Sequence, residues 1–220
     1  MIWNEHLELA GRHSIFAPSN PSWMNYSLDD SDEDVIFQRF CSQYASQIGT
    51  IAHEFAEKRI KYNQKLLKAN KSDLLCDLLD AGIPSIVINM DYIYPNVMNY
   101  TNDAIGYRMD SEVKLKYSET FFGTTDTISF RDKELRIHDL KTGKGLVHLD
   151  QLLAYSALFF LEYGKAYDAD PKNTKVILRI YQAGDIVEDI PEADRVIFAM
   201  HQIVEIDKKC AKWKVEGIRK

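Results

Sequence analysis

Cysteine is scarce and unpatterned: Cys41, Cys76 and Cys210 are the three in 220 residues, an odd number with no C-x-x-C spacing. That excludes a disulfide framework and a sulfur-ligated zinc or iron–sulfur site, and it suits a reducing compartment. With six prolines and ten glycines the chain has too few breakers for a collagen-like or low-complexity protein. Long apolar runs are missing too. Residues 152–161 form the most apolar stretch, half the ~20 residues that span a bilayer. The start, Met-Ile-Trp-Asn-Glu-His, lacks the basic and apolar regions of a secretory signal, so the chain reads as cytoplasmic. Excess positive charge is also lacking, the formal net charge being -6. That rules out a coat held on DNA by overall charge and leaves room for a local basic groove.

What is present is 45% hydrophobic and 27% charged residues, the balance of a globular protein with one substantial core. One domain is expected, with an irregular arm and helical part over 1–107 and a sheet core over 108–220. The arm ends in an acidic run, Asp29, Asp30, Asp32, Glu33 and Asp34, placed to complement the N-terminal dipole of a helix. Helical spacing then runs from Val35 to about Leu67 as two helices or one bent near Gly49. Within it Lys58, Lys61, Lys65 and Lys68 fall on one face, a solvated stripe or a track for phosphates. A short helix over 72–81 and a second from about Tyr94 to Gly106 follow.

After Gly106 the period changes to two. Strands are expected over 112–117, 121–130 and 134–141, with a hairpin turn at Arg131-Asp132-Lys133. A helix over 148–163, a β-branched strand over 174–181 and a helix over 191–213 complete a β-β-β-α-β-α order. The hairpin can be registered by its apolar pattern, Phe130 facing Leu135 and Ile128 facing Ile137. Continued, that register pairs Asp126 with Asp139 and places both, with Lys141, on the apolar face. Two carboxylates that close repel each other unless a cation lies between them. A hard divalent ion, taking oxygen ligands that include a backbone carbonyl such as that of Leu140, resolves the conflict. Lys141 then stands ready to orient a hydroxide or stabilise negative charge. Taken alone, Asp139-x-Lys141 also reads as a salt bridge at a strand end.

Three motifs occur in order: Gly123-Thr-Thr-Asp126, Asp139-Leu-Lys141-Thr-Gly143 and Gln151-Leu-Leu-Ala-Tyr155. Together they resemble the G-x-x-D, (D/E)-x-K and Q-x-x-x-Y motifs of RecB-type nucleases in the PD-(D/E)XK superfamily. Upstream, Gly49-Thr-Ile-Ala-His53-Glu-Phe-Ala-Glu57 is similar to the helix in which those nucleases carry a metal-binding histidine, and Glu112 stands where they often place another acid. The arm Gly11-Arg-His-Ser-Ile-Phe-Ala-Pro-Ser19 with Trp23 is similar to the opening of phage and prophage exonuclease-like members. The first aspartate follows Thr125 where the superfamily's name has proline, the second acid is Asp139 where many members have Glu, and the iron–sulfur cysteines of several relatives are absent.

The resemblance implies an α/β, restriction-endonuclease-like αβββαβ core with a central mixed sheet flanked by helices. It implies that Asp126 and Asp139 bind metal with His53, Glu112 and the Leu140 carbonyl, that Lys141 assists the nucleophile, and that Gln151 and Tyr155 face the site. The expected cofactor is Mg²⁺, with Mn²⁺ able to substitute and no iron–sulfur cluster. The expected activity is a metal-dependent deoxyribonuclease in a bacterial or phage-infected cytoplasm. An exonuclease trimming linear DNA ends, with a single-strand annealing protein as a partner, is the first reading. A structure-specific or single-strand endonuclease, or a non-catalytic nucleic-acid-binding protein on the same scaffold, is the alternative. Linear against circular DNA separates the first two.

Overall fold

The computed structural model describes residues 14, 16, 18, 21–27 and 31–216. Most of the 11–19 arm, together with Asp29, Asp30, Arg219 and Lys220, therefore lies outside the described residues. The chain divides into two compact units, Met1–Gln47 and Ile48–Lys220. In the first, helix α1 (Glu33–Ser42) carries Glu33 and Asp34 in its opening turn, where acids favour the helix dipole. Arg39 donates to the Ser22 and Tyr26 hydroxyls.

The break between the first helices falls at Gln43-Tyr44, and Gly49 lies inside α2 (Ala45–Lys61). Gly49 is there for close approach: a Cβ on it would lie 3.3 Å from Thr142 Oγ1. The helix stops at Lys61, short of the expected Leu67, because Asn63 adopts φ 53°. Its neighbour Gln64 donates N–H back to Arg59 O while Asn63 N–H donates to Ile60 O, a Schellman cap. Lys65 and Lys68 lie beyond this cap, so the four lysines do not form one helical stripe.

Helix α3 (Lys71–Asp80) agrees with expectation. Helix α4 (Met90–Gly106) begins a turn before Tyr94, since the Asn89 side chain accepts the Tyr92 N–H and caps it there. Pro95 sits inside it.

The sheet contains β1 (Asp110–Lys116), β2 (Phe122–Arg131), β3 (Glu134–Leu140), β4 (Lys175–Gln182) and β5 (Asp185–Asp189) in that spatial order. All neighbours are antiparallel except β3 and β4, which are parallel and joined by α5 (Asp150–Tyr163). The molecule is thus α/β, a five-stranded mixed sheet flanked by helices. The fifth strand was not expected: its hairpin turns through Ala183 and Gly184, both at positive φ, and alanine rarely signals such a turn. Gly184 N–H is held by the Asn96 side chain at 2.6 Å.

One sheet face carries Leu135, Ile137, Leu178 and Ile180, buried with Phe159 and Phe160 of α5. Helix α6 (Ala193–Glu216) packs on α5 and adds Val196 and Ile203 to this core. Each such aliphatic or aromatic side chain contributes about 1.5–3 kcal/mol by leaving water. The other face carries His138, Arg179 and Tyr181 beneath α4, with Tyr100 stacked edge-on to Tyr181 at 5.6 Å. Among the described residues no helix is long and apolar enough to cross a membrane.

Candidate metal centre

The β2–β3 ladder keeps the register read from the sequence, Phe130 opposite Leu135 and Ile128 opposite Ile137. It ends at Thr127 opposite His138, one step before the expected Asp126–Asp139 pair. There the Asp126 side chain takes over, Oδ2 accepting the Leu140 N–H at 2.9 Å. Simple alternation also fails at this level. Asp110, Val113, Leu115 and Ile128 all line one cavity although their parities differ, and the change of face in β1 coincides with φ 53° at Glu112. Non-glycine residues at positive φ store strain that persists where surrounding structure imposes it, often at functional sites.

Helix α2 supplies the histidine. Ile48, Ala52, Phe55, Ala56 and Ile60 turn into the core, which sets His53 at the edge of the buried stripe. A carbonyl oxygen only accepts, so His53 Nε2–H donates to Leu140 O at 2.9 Å, and in the neutral tautomer with this bond the lone pair is on Nδ1. That Nδ1 lies 3.5 Å from Asp126 Oδ2. The Leu140 peptide therefore holds both groups, Asp126 through its N–H and His53 through its carbonyl. The carbonyl expected to ligate a metal accepts from His53, the kind of outer bond that fixes ligating histidines.

Ligand atoms of His53, Glu112 and Asp126 lie within 4.8 Å of one another, close enough to share a cation. Asp139 falls outside that trio and stands beside it. Its carboxylate is 95% buried and meets Lys141 Nζ at 2.9 Å from Oδ2 and 3.1 Å from Oδ1. The lysine is aligned to hydrogen-bond Oδ1, and Oδ2 is buried without a hydrogen-bond partner. Burial raises the Asp126 pKa, the Asp139 carboxylate raises it further, and the His53 ring opposes both when it carries a proton. Burial also raises Asp139, against the pull of Lys141. For Glu112, burial is followed by Asp126 and Glu57 as causes of an upward shift. Three carboxylates that each resist ionisation around one imidazole fit a hard cation.

An open cavity of about 520 Å³ adjoins the trio, lined by Gly49, Thr50, His53, Glu54, Glu57 and Glu112. Glu57 received no role in the sequence reading. The signal that marks it is its i, i+4 spacing from His53, which puts both on one side of α2. Tyr155 packs its ring on the glycine of the first motif: a Cβ on Gly123 would lie 2.8 Å from Tyr155 Cε1. Gln151 lies exposed in the first turn of α5, and its side chain hydrogen-bonds none of the described residues.

Residues 23–202 match the model of a family described as Protein of unknown function (DUF2800). The chain belongs to the DUF2800 family. The match includes His53, Glu112, Asp126, Asp139, Lys141 and Tyr155, so every group of the centre in this DUF2800 chain lies within the family's own span. No curated protein and no solved structure matches the chain.

Proposed function

We propose that this DUF2800 protein is a metal-dependent deoxyribonuclease of the RecB-type PD-(D/E)XK kind, acting as an exonuclease on linear DNA in the cytoplasm. The observation that carries the reading is the bidentate Asp139–Lys141 pair beside the His53–Glu112–Asp126 trio at one level of the sheet. The order of α4, β1–β3, α5 and β4 supports the restriction-endonuclease-like core that the motifs imply.

His53 Nδ1, Glu112, Asp126 and Asp139 Oδ2 would hold Mg²⁺ or Mn²⁺. Bound there, the ion supplies Lewis acidity toward a phosphodiester oxygen. A cavity walled by Glu54, Glu57 and Glu112 repels phosphate by itself, which makes a cation a condition for substrate entry. Leu140 keeps Asp126 and His53 in fixed orientation through its two backbone bonds. Lys141, its side chain 39% exposed and its Nζ tethered to Asp139, orients the attacking water and stabilises negative charge on the phosphate. In the hydrolysis the water oxygen bonds to phosphorus, one P–O ester bond breaks, and a water proton ends on the leaving oxygen. Tyr155 supports the floor of the site through Gly123.

The test is hydrolysis of end-labelled linear duplex, linear single strand and closed circular DNA in Mg²⁺, Mn²⁺ or EDTA, beside Asp126→Asn and Lys141→Ala. Metal-dependent loss of linear DNA alone, abolished in both variants, is the expected result. Cleavage of circles replaces the exonuclease with an endonuclease, and binding of DNA without turnover in either metal overturns the enzymatic reading.

A further inference from the structure

The segment after Lys141 is held as firmly as a strand end although it contains no regular structure. Gly143 O accepts from the Tyr92 hydroxyl at 2.8 Å and from Gln182 Nε2 at 2.5 Å, and Gly145 O accepts from the same amide at 2.9 Å. Lys144 Nζ lies 5.7 Å from the centre of the Tyr92 ring. Helix α4 and the end of β4 thus clamp the loop from two sides. Beyond the clamp, Val147 and Leu149 pack against the hydrophobic core. Leu146, between the clamp and these two, is 90% exposed.

A leucine left in water forgoes the burial that its neighbours obtain. Its surroundings make a poor protein-docking patch, since Gly143, Lys144, Gly145 and His148 are also exposed and offer no apolar continuation; stable interfaces bury roughly 800 Å² per partner. What the loop presents is a single rigid apolar tip next to a cation. Four residues separate it from Lys141, so the two Cα atoms lie at most about 18 Å apart, about five nucleotide steps of 3.4 Å along one DNA strand. Isolated apolar side chains on DNA-binding proteins insert between base steps and unstack them, while a neighbouring cation holds phosphate.

We infer that Leu146 is a wedge that unstacks the terminal base pair of a duplex, with Lys144 holding the adjacent phosphate, so that one separated strand reaches the metal centre. The inference rests on the nuclease reading above and narrows its substrate to duplex DNA with an end. A preformed single strand needs no wedge.

The test uses a blunt duplex with 2-aminopurine at its terminal pair, in Ca²⁺, with binding followed by anisotropy, and hydrolysis in Mg²⁺ and Mn²⁺ measured separately on duplex and single strand. The wild-type protein should brighten the terminal 2-aminopurine, and Leu146→Ala should bind without brightening it. Leu146→Ala should also lose about tenfold or more of duplex hydrolysis with single-strand hydrolysis unchanged, and Leu146→Met should restore both signals. Equal brightening by wild type and Leu146→Ala, or binding without brightening by wild type, overturns the wedge and leaves the nuclease. Leu146-dependent brightening with no hydrolysis of any DNA overturns the nuclease and keeps the wedge. Failure to bind DNA overturns both.

Discussion

His138 should make this protein lose stability steeply in mild acid. Its ring is fully buried under α4, edge-on to Tyr107, with Nδ1 3.2 Å from the Tyr181 hydroxyl. Tyr181 has one proton to give, and the Asp103 carboxylate takes it at 2.6 Å. His138 must therefore be the donor at Nδ1, which leaves a bare Nε2 that is buried and has no hydrogen-bond partner. A second proton would go on Nε2, with no acceptor, near the guanidiniums of Arg179 and Arg136. Burial first, then Arg179 and Arg136, hold the imidazole at about 3 against an ordinary 6.5.

Below pH 6.5 the unfolded chain thus binds a proton that the folded chain refuses until about pH 3. The unfolded state carries more protons in that window, so stability is full above it and falls as pH falls. The slope is half-developed at pH 6.5 and approaches ~1.4 kcal/mol per pH unit below it, so the loss between pH 6.5 and 4.5 is about 2.3 kcal/mol. Urea unfolding of wild type and His138→Gln, which keeps a donor but cannot titrate there, isolates the effect because other titrations are shared. The difference between the two should change by that amount over those two units. Parallel stability curves, or a His138 ring resonance that titrates near pH 6 in the folded protein, would refute the reasoning.

Gly123→Ala should cost about 1–3 kcal/mol by forcing its Cβ into the Tyr155 ring; a double-mutant cycle with Tyr155→Ala should show coupling, and strict additivity in urea unfolding would show that the contact is not felt. Mn²⁺ or Mg²⁺ at about a hundredfold its dissociation constant should stabilise the protein by ~2.7 kcal/mol and raise Tm by about 5–11 °C. Glu112→Gln and Asp126→Asn should respond far less, and an equal rise in both variants would place the cation elsewhere. Asn96→Ala should cost about 1–3 kcal/mol, because the buried amide holds Gly184 N–H and Tyr92 O; hydrogen exchange should accelerate at the β4–β5 turn, and unchanged exchange there would deny Asn96 its role.

By itself the sequence determined the local periods and what depends on them. Alternating Phe130, Ile128, Leu135 and Ile137 specified the β2–β3 register, since a one-residue slip would turn every apolar side chain to the wrong face. The resemblance of its motifs to those of RecB-type nucleases pointed to His53, Glu112, Asp126, Asp139 and Lys141, each beside a recognisable helix or strand. Tertiary structure decided where those periods break and how the groups meet. Asp126 leaves the ladder to accept the Leu140 N–H, and Glu112 takes a positive φ that no local preference would choose. The Leu140 carbonyl serves His53, and Glu57 reaches the same cavity through helix geometry. The β4–β5 turn through Ala183 forms where Asn96, 88 residues away, satisfies its backbone. Local preferences amount to tenths of a kcal/mol per residue, whereas leaving one buried polar group unpaired costs about 1–3 kcal/mol. Where the two conflict, the long-range partner wins, as it does around the candidate metal centre.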